Sequence, residues 1–243
     1  MSATDVFSPP SMPQEMNYTL PASLPAAKTY EVRIMPVNAS SFQSGNVVQF
    51  DIPCNKRGAY LDTSTTYIKF KSTFTNNGGT VGTDYSYLLG SAYSYFNKQE
   101  VYGNNSVTLE SINELGVLAN MLCNAQLNAS DKVGLAPAFG FSDYHVNASS
   151  NCGHKINDGT ANPVNGLVFS YAIPIIGILG SGTDKYIPIG DFYSLRYELT
   201  VDNYANFTLA ATTNKLNSCI LTDFEFCGQV VELDGTPQSM IEQ

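Results

Sequence analysis

A chain of 243 residues with 43% hydrophobic and 12% aromatic residues carries enough apolar material for one large β-domain or two small ones. Only 14% of its residues are charged, against about 25% in average domains, and Asn, Ser and Thr supply the polar remainder, as in many strands joined by turns. The net charge of −9, with 12 Lys and Arg that never form a run, argues against direct nucleic-acid binding, which needs clustered cations.

Residues 1–28 are Pro-rich and without sustained periodicity, which predicts an extended arm. They hold neither a basic start nor an apolar run, so no signal peptide is expected. Strand patterns begin at Thr29. Tyr30, Val32 and Ile34 alternate with Glu31 and Arg33, and Val48, Phe50 and Ile52 alternate with Gln49 and Asp51.

The cleanest alternation runs over Thr66–Thr75. Tyr67, Lys69, Lys71 and Thr73 take one face, and Ile68, Phe70, Ser72 and Phe74 the other, predicting a half-buried strand. Asn76-Asn77-Gly78-Gly79 then forces a turn. Ser94–Tyr102 reads as another strand, stopped at Gly103-Asn104-Asn105. One helix is expected at about 109–123, because Leu109, Ile112, Leu115, Leu118, Ala119 and Leu122 make an apolar stripe at helical spacing.

Residues 124–165 read as a long loop, with Asn, Gly, Ser and Pro throughout, of the kind that serves as a functional surface or interface. The apolar run Leu167–Ile176 predicts a fully buried strand, and Tyr186–Ile189, Ser194–Asp202, Asn206–Thr213 and Ser218–Leu233 complete the set. About eight strands with one helix between them make an all-β sandwich. The most apolar stretch, Leu167–Leu179, is interrupted by Ser170, Pro174 and Gly177 and falls short of the ~18 apolar residues of a membrane span.

Chemistry-bearing residues are sparse. The two histidines, His145 and His154, lie in the long loop beside Asp143, Tyr144 and Cys152, without the tight ligand pairs of zinc sites. Gly177–Gly182 and Gly78-Gly79 lack the Lys-Ser/Thr ending of a phosphate loop. Cys54, Cys123, Cys152, Cys219 and Cys227 are odd in number and widely spaced, the pattern of free thiols made in a reducing compartment rather than of a disulfide framework. Asn-x-Ser/Thr triplets at Asn17, Asn38, Asn104, Asn128, Asn147 and Asn206 arise by chance in so Asn- and Ser/Thr-rich a chain. The expectation is therefore no catalytic, cofactor-binding or metal-binding residues, and no enzyme.

Several ordered segments resemble the major capsid proteins of the double-jelly-roll lineage of DNA viruses, particularly those of virophages and polinton-like elements. They are Phe42 to Pro53 (FQSGNVVQFDIP), Leu61 to Phe70, Gly90-Ser91-Ala92 with Tyr95 to Tyr102, the segment beginning near Leu109-Glu110, and Tyr186-Ile187-Pro188-Ile189-Gly190 ahead of Leu195 to Thr200. Together they span roughly residues 30–233. Family members carry two jelly rolls in one chain, so this chain resembles the first roll alone. The resemblance implies an antiparallel eight-stranded jelly-roll sandwich with one helix inserted mid-chain. It would occupy 29–233, behind the arm at 1–28 and ahead of a C-terminal tail or linker at 234–243.

The implied function is a structural subunit that self-assembles into an icosahedral shell. It would be made in the host cytoplasm or nucleus and localised to the virion. The partners implied are copies of itself, other capsid proteins and a host receptor reached through surface loops. The rival from another class is a secreted jelly-roll carbohydrate-binding module, disfavoured by the absence of Trp and of a signal peptide. A cupin-type enzyme would need more histidines at metal spacing.

Overall fold

The computed structural model describes residues 27–54, 56–76, 86–104, 106–141, 152–157, 167–180, 186–210 and 216–233. The expected tail at 234–243, and the arm up to residue 26, lie outside them. Eight strands carry the body: β1 (Ala27–Ile34), β3 (Val47–Ile52), β4 (Ala59–Asn76), β6 (Phe96–Gly103), β7 (Val107–Asn113), β9 (Leu167–Pro174), β11 (Leu195–Val201) and β13 (Leu216–Leu233). Five short strands accompany them: β2 (Ser41–Phe42), β5 (Ser86–Leu89), β8 (Cys152–Asn157), β10 (Tyr186–Ile187) and β12 (Thr208–Ala210).

One sheet runs β1-β13-β4-β9, with β2 added on β13 and β10 on β4; the other runs β3-β11-β6-β7, and every pair in both is antiparallel. Numbered by their order along the chain, the eight body strands form sheets 1-8-3-6 and 2-7-4-5. That interleaving is the jelly roll, because each body strand crosses to the opposite sheet from the one before it, with the single exception of the β6–β7 hairpin. The expected eight-stranded all-β sandwich is the observed architecture.

Its interior is aromatic. Phe70 stacks on Phe224 at 5.2 Å and meets Tyr95, Phe96 and Tyr171 at 5.3–5.5 Å, with Phe50, Phe74, Tyr197 and Phe226 filling the space beside them. Ile68, Phe70, Ser72 and Phe74 all face inward, as the alternation predicts. The one polar residue among them is satisfied: Ser72 Oγ and Tyr95 Oη lie 3.0 Å apart, and Tyr95 donates onward to Tyr171 Oη at 3.3 Å.

The two 18-residue strands keep this face only by changing phase. In β4 the buried positions switch from Ala59, Leu61 and Thr63 to Thr66, Ile68 and Phe70, around Ser64-Thr65. In β13 they switch from Cys219 and Leu221 to Phe224 and Phe226, and the strand's register against β4 shifts between Thr222 and Glu225. Asp223, at φ 53°, takes up the extra residue as a bulge.

Five expectations are corrected. Leu109 and Ile112 lie in β7, and the helix, α1, spans Leu115–Gln126. Glu114 separates the two at φ 53°, a left-handed residue that neither a strand nor a helix continues through. The stretch 124–165 is not all loop: it holds a second helix, α2 (Ala129–Phe139), and β8. Asn128 caps α2 by accepting from Asp131 N at 2.9 Å, and the Asp131 carboxylate accepts from Asn128 N in return. β9 is an edge strand with Val168 55% exposed and only Tyr171 and Ile173 buried, so its apolar run is half-buried rather than fully buried. Ser94 and Tyr95 belong to a 3-10 turn (Ala92–Tyr95) ahead of β6, and β1 begins at Ala27, two residues before the expected boundary.

Candidate assembly surfaces

Because successive body strands traverse the sandwich in alternate directions, its two ends are built from different connections. One end carries the β1–β3, β4–β6, β7–β9 and β11–β13 connections. Three of these contribute a strand each to a small third sheet, β12-β5-β8. The other end carries the β3–β4, β6–β7 and β9–β11 connections. There β1 starts and β13 finishes side by side, with Ala27 paired to Leu233. Lys56 pairs with Glu232 and Leu233 N donates to Gly58 O at 3.0 Å, tying the β3–β4 connection to that end.

The helices dress the first end and the adjoining side. α1 packs on the 92–95 turn and on β6, and α2 on β9. Gly116 lets α1 approach closely, since a Cβ there would meet the Ser94 backbone at 2.8 Å. Asn120 fixes the contact: its Oδ1 accepts from Ser91 Oγ at 2.6 Å, and its Nδ2 donates to Ser94 Oγ at 3.0 Å and to Leu89 O at 3.2 Å. Leu115 and Ala119 are buried by this packing, whereas Val117 and Met121 are 57% and 66% exposed and Leu118 sits near them. α1 contains no charged residue, in a chain of net charge −9. A groove of about 360 Å³ separates α1 from residues 174–180, with Leu122, Cys123, Phe139 and Ile176 among its walls.

That wall is rigid. Tyr93 Oη donates to Pro174 O at 2.7 Å, Gln99 Nε2 to Ile176 O at 2.5 Å, and Thr66 Oγ1 to Leu179 O at 2.6 Å. Glu110 accepts from Ile178 N through both oxygens, at 3.1 and 3.3 Å. Gln99 is itself held from the core by Tyr197 Oη, 2.9 Å away. The turn at Gly177 (φ 94°) lies against the Glu110 carboxylate, where a Cβ would collide.

The outer sheet faces are covered by charges that pair among themselves. Arg196 binds Asp51 at 2.7 Å, Lys98 binds Glu100 at 2.8 Å, Lys69 binds Glu225 at 3.4 Å and Lys71 binds Asp223 at 2.8 Å. Glu100 and Glu198 face each other across β6 and β11. Burial, reinforced by Glu100, raises the Glu198 carboxyl. Burial also pushes on Glu100, but hydrogen bonds from Lys98 and Tyr102 outweigh it and leave its pKa lowered.

Asp143, Tyr144 and His145 lie outside the described residues; Cys152 and His154 lie in β8, paired through its backbone to β5. Among the described residues no three His, Cys, Asp or Glu side chains gather as metal ligands would. Cys54, Cys123, Cys219 and Cys227 are free. Burial raises the pKa of each, that of Cys219 to about 12, which keeps them protonated and poor nucleophiles.

One feature escaped the sequence. At the second end, Asp51, Tyr102, Ser106, Tyr193 and Arg196 line a cavity of about 350 Å³. Tyr193 N donates to Asn104 Oδ1 at 2.6 Å, and Asn104 N donates to Ser194 O at 3.1 Å, so the backbone is clamped on both sides of a ring that is 89% exposed. Asn104 reads in sequence as a turn residue and as the start of a chance Asn-x-Ser triplet; its separation of 89 positions from Tyr193 hides the pairing.

No protein-family model matches the chain, and no curated protein matches it. Solved structures do. Over 93% of its length the chain superposes on the Faustovirus major capsid protein with a TM-score of 0.59 at 9% identity, covering 57% of that protein. It superposes over the same 93% on the capsid protein of the PBCV-1 virus, with a TM-score of 0.55 at 10% identity, covering 47% of it. The chain thus spans about half the length of the capsid proteins it matches. At such identities the likeness is one of fold: this chain has the jelly-roll fold found in viral major capsid proteins.

Proposed function

We propose that this chain is a non-enzymatic structural subunit of a viral capsid, one that packs against further copies of itself in the virion. The observation that carries the reading is the superposition of 93% of the chain on about half of two viral capsid proteins. The interleaved strand order supports it, since the likeness extends over 93% of the chain and so takes in the eight-stranded body rather than one local motif. The outer face of α1 is the surface on which another copy packs. Copies of an acidic chain repel one another, and a helix without charge, showing Val117, Leu118 and Met121, lets them meet without burying unpaired ions. The arm ahead of β1, residues 1–26, straps the assembly and acts after folding. Nothing in the reading calls for direct contact with nucleic acid.

Sedimentation and electron microscopy of the expressed chain test this. Discrete oligomers or closed shells are expected; a strict monomer at all concentrations would sink the proposal.

A further inference from the structure

The clamped Tyr193 and its cavity fit a proline-rich peptide, and the chain carries one. Residues 9–13 read Pro-Pro-Ser-Met-Pro, placing Pro10 and Pro13 in a P-x-x-P spacing. Such a segment favours the polyproline II conformation, has few conformations to lose, and docks into grooves lined by aromatic rings. Tyr102 and Tyr193 supply two rings, and Ser106 and Arg196 supply donors for the unpaired backbone carbonyls of such a helix. The groove is built before anything enters it. Asn104 holds the Tyr193 backbone from both sides, Asp51 holds Arg196 at 2.7 Å, and Ser106 sits in the left-handed region at φ 66°, unusual for a residue other than glycine. A large ring held out in water by a rigid backbone is poised for binding, because little ordering cost remains to be met.

Reach favours the same partner. Ala27 lies at the end of the sandwich that holds the groove, tied through Leu233 and Gly58 to the β3–β4 connection that follows Asp51 and Ile52. Thirteen residues separate Pro13 from Ala27, which extended span roughly 45 Å. A tether that short gives the segment an effective concentration in the millimolar range at its own groove. We infer that Pro10–Pro13 dock on Tyr102 and Tyr193 of the same chain. This goes beyond the proposed function and holds whether or not the chain forms a shell.

The six methionines include Met12, inside the motif, and allow the test on the full-length chain labelled with methyl-13C methionine. In NMR spectra the Met12 methyl is expected to be shifted upfield by the tyrosine rings. The shift should be lost in Tyr193→Ala and in the Pro10→Ala/Pro13→Ala double variant, with the Met35 and Met121 signals unmoved as evidence of an intact fold. A Met12 methyl at its free-peptide position in the unaltered chain would overturn the inference. So would a shift that survives both variants. If Met12 is free while Tyr193→Ala lowers particle yield, the groove takes a neighbouring copy, and the inference is again overturned although the capsid reading stands. A bound Met12 in a chain that forms no particles would sink the capsid reading and leave this one standing.

Discussion

The β4–β13 pair and the segment from β7 to α2 are built on opposite terms. The strand pair buries a continuous file of side chains, from Leu61 and Phe70 to Phe224 and Val230, and it tolerates interruptions of period only where a bulge restores the inward face. The segment 107–139 buries few residues, among them Leu115, Ala119 and Ala136, and presents Val107, Val117 and Met121 to solvent. Where many buried neighbours constrain a strand, its sequence is tied to the fold. Where one helix lies on the outside, the sequence is free to serve contacts that the single chain does not contain. The first region holds the sandwich together; the second leaves apolar side chains at its surface, where the contact between copies is proposed.

Substitutions can break or sharpen that contrast. The largest loss is expected from Phe70→Ala, which removes a fully buried ring in contact with four others and should cost about 3–5 kcal/mol in denaturant unfolding. A loss under about 1 kcal/mol would mean that the core is not organised around that ring. Gly177→Ala comes next. It puts a side chain on a left-handed turn against Glu110, for an expected cost of about 1–3 kcal/mol. A variant as stable as the parent would show that the wall opposite α1 is not held as described.

A smaller, pH-dependent effect belongs to Glu198. Burial raises its carboxyl pKa above the ordinary value of 4.5, so the folded chain holds that proton more tightly than the unfolded one does. The stability this contributes is fully present below pH 4.5 and is lost as pH rises through the raised value. Glu198→Gln should therefore flatten the melting temperature against pH just above 4.5, and a slope identical to the parent's would contradict the assignment. The smallest effect on folding, within about 0.5 kcal/mol, is expected from Val117→Asp on the exposed face of α1. The same change should abolish oligomers in sedimentation, and that pairing of outcomes separates the two regions most sharply.

The same contrast explains what the amino-acid order revealed. Ile68, Phe70, Ser72 and Phe74 alternate because both sheets enforce a period of two, and that half of β4 is readable directly. Ala59 to Thr63 is not, because the phase change at Ser64-Thr65 makes one strand look like two fragments. In 107–122 the apolar residues satisfy helical spacing by coincidence: Leu109 and Ile112 stand on a strand, and Leu115 and Ala119 on a helix. The break between them is the left-handed Glu114, a conformation no residue type announces. α2 was hidden by Pro137, Gly134 and a polar composition, although the Asn128–Asp131 capping box was present as its start signal. The Tyr193 groove was illegible for a different reason. Its parts come from two connections, β6–β7 and β9–β11, and from strands β3, β6 and β11, which only the closed sandwich brings together at one end.

The pairing of Ala27 with Leu233 has a mechanical consequence. Tension applied between these two points does not shear the sandwich along its strands; it opens the β1–β13 ladder from one end, a rung at a time, in the direction in which a zip gives way. β1 lies at a sheet edge, so this peeling first exposes β13 without cutting through the aromatic interior. A pull on the chain before Ala27 and after Leu233 therefore loads the ladder in its weaker, unzipping direction, and β1 is the first strand to leave.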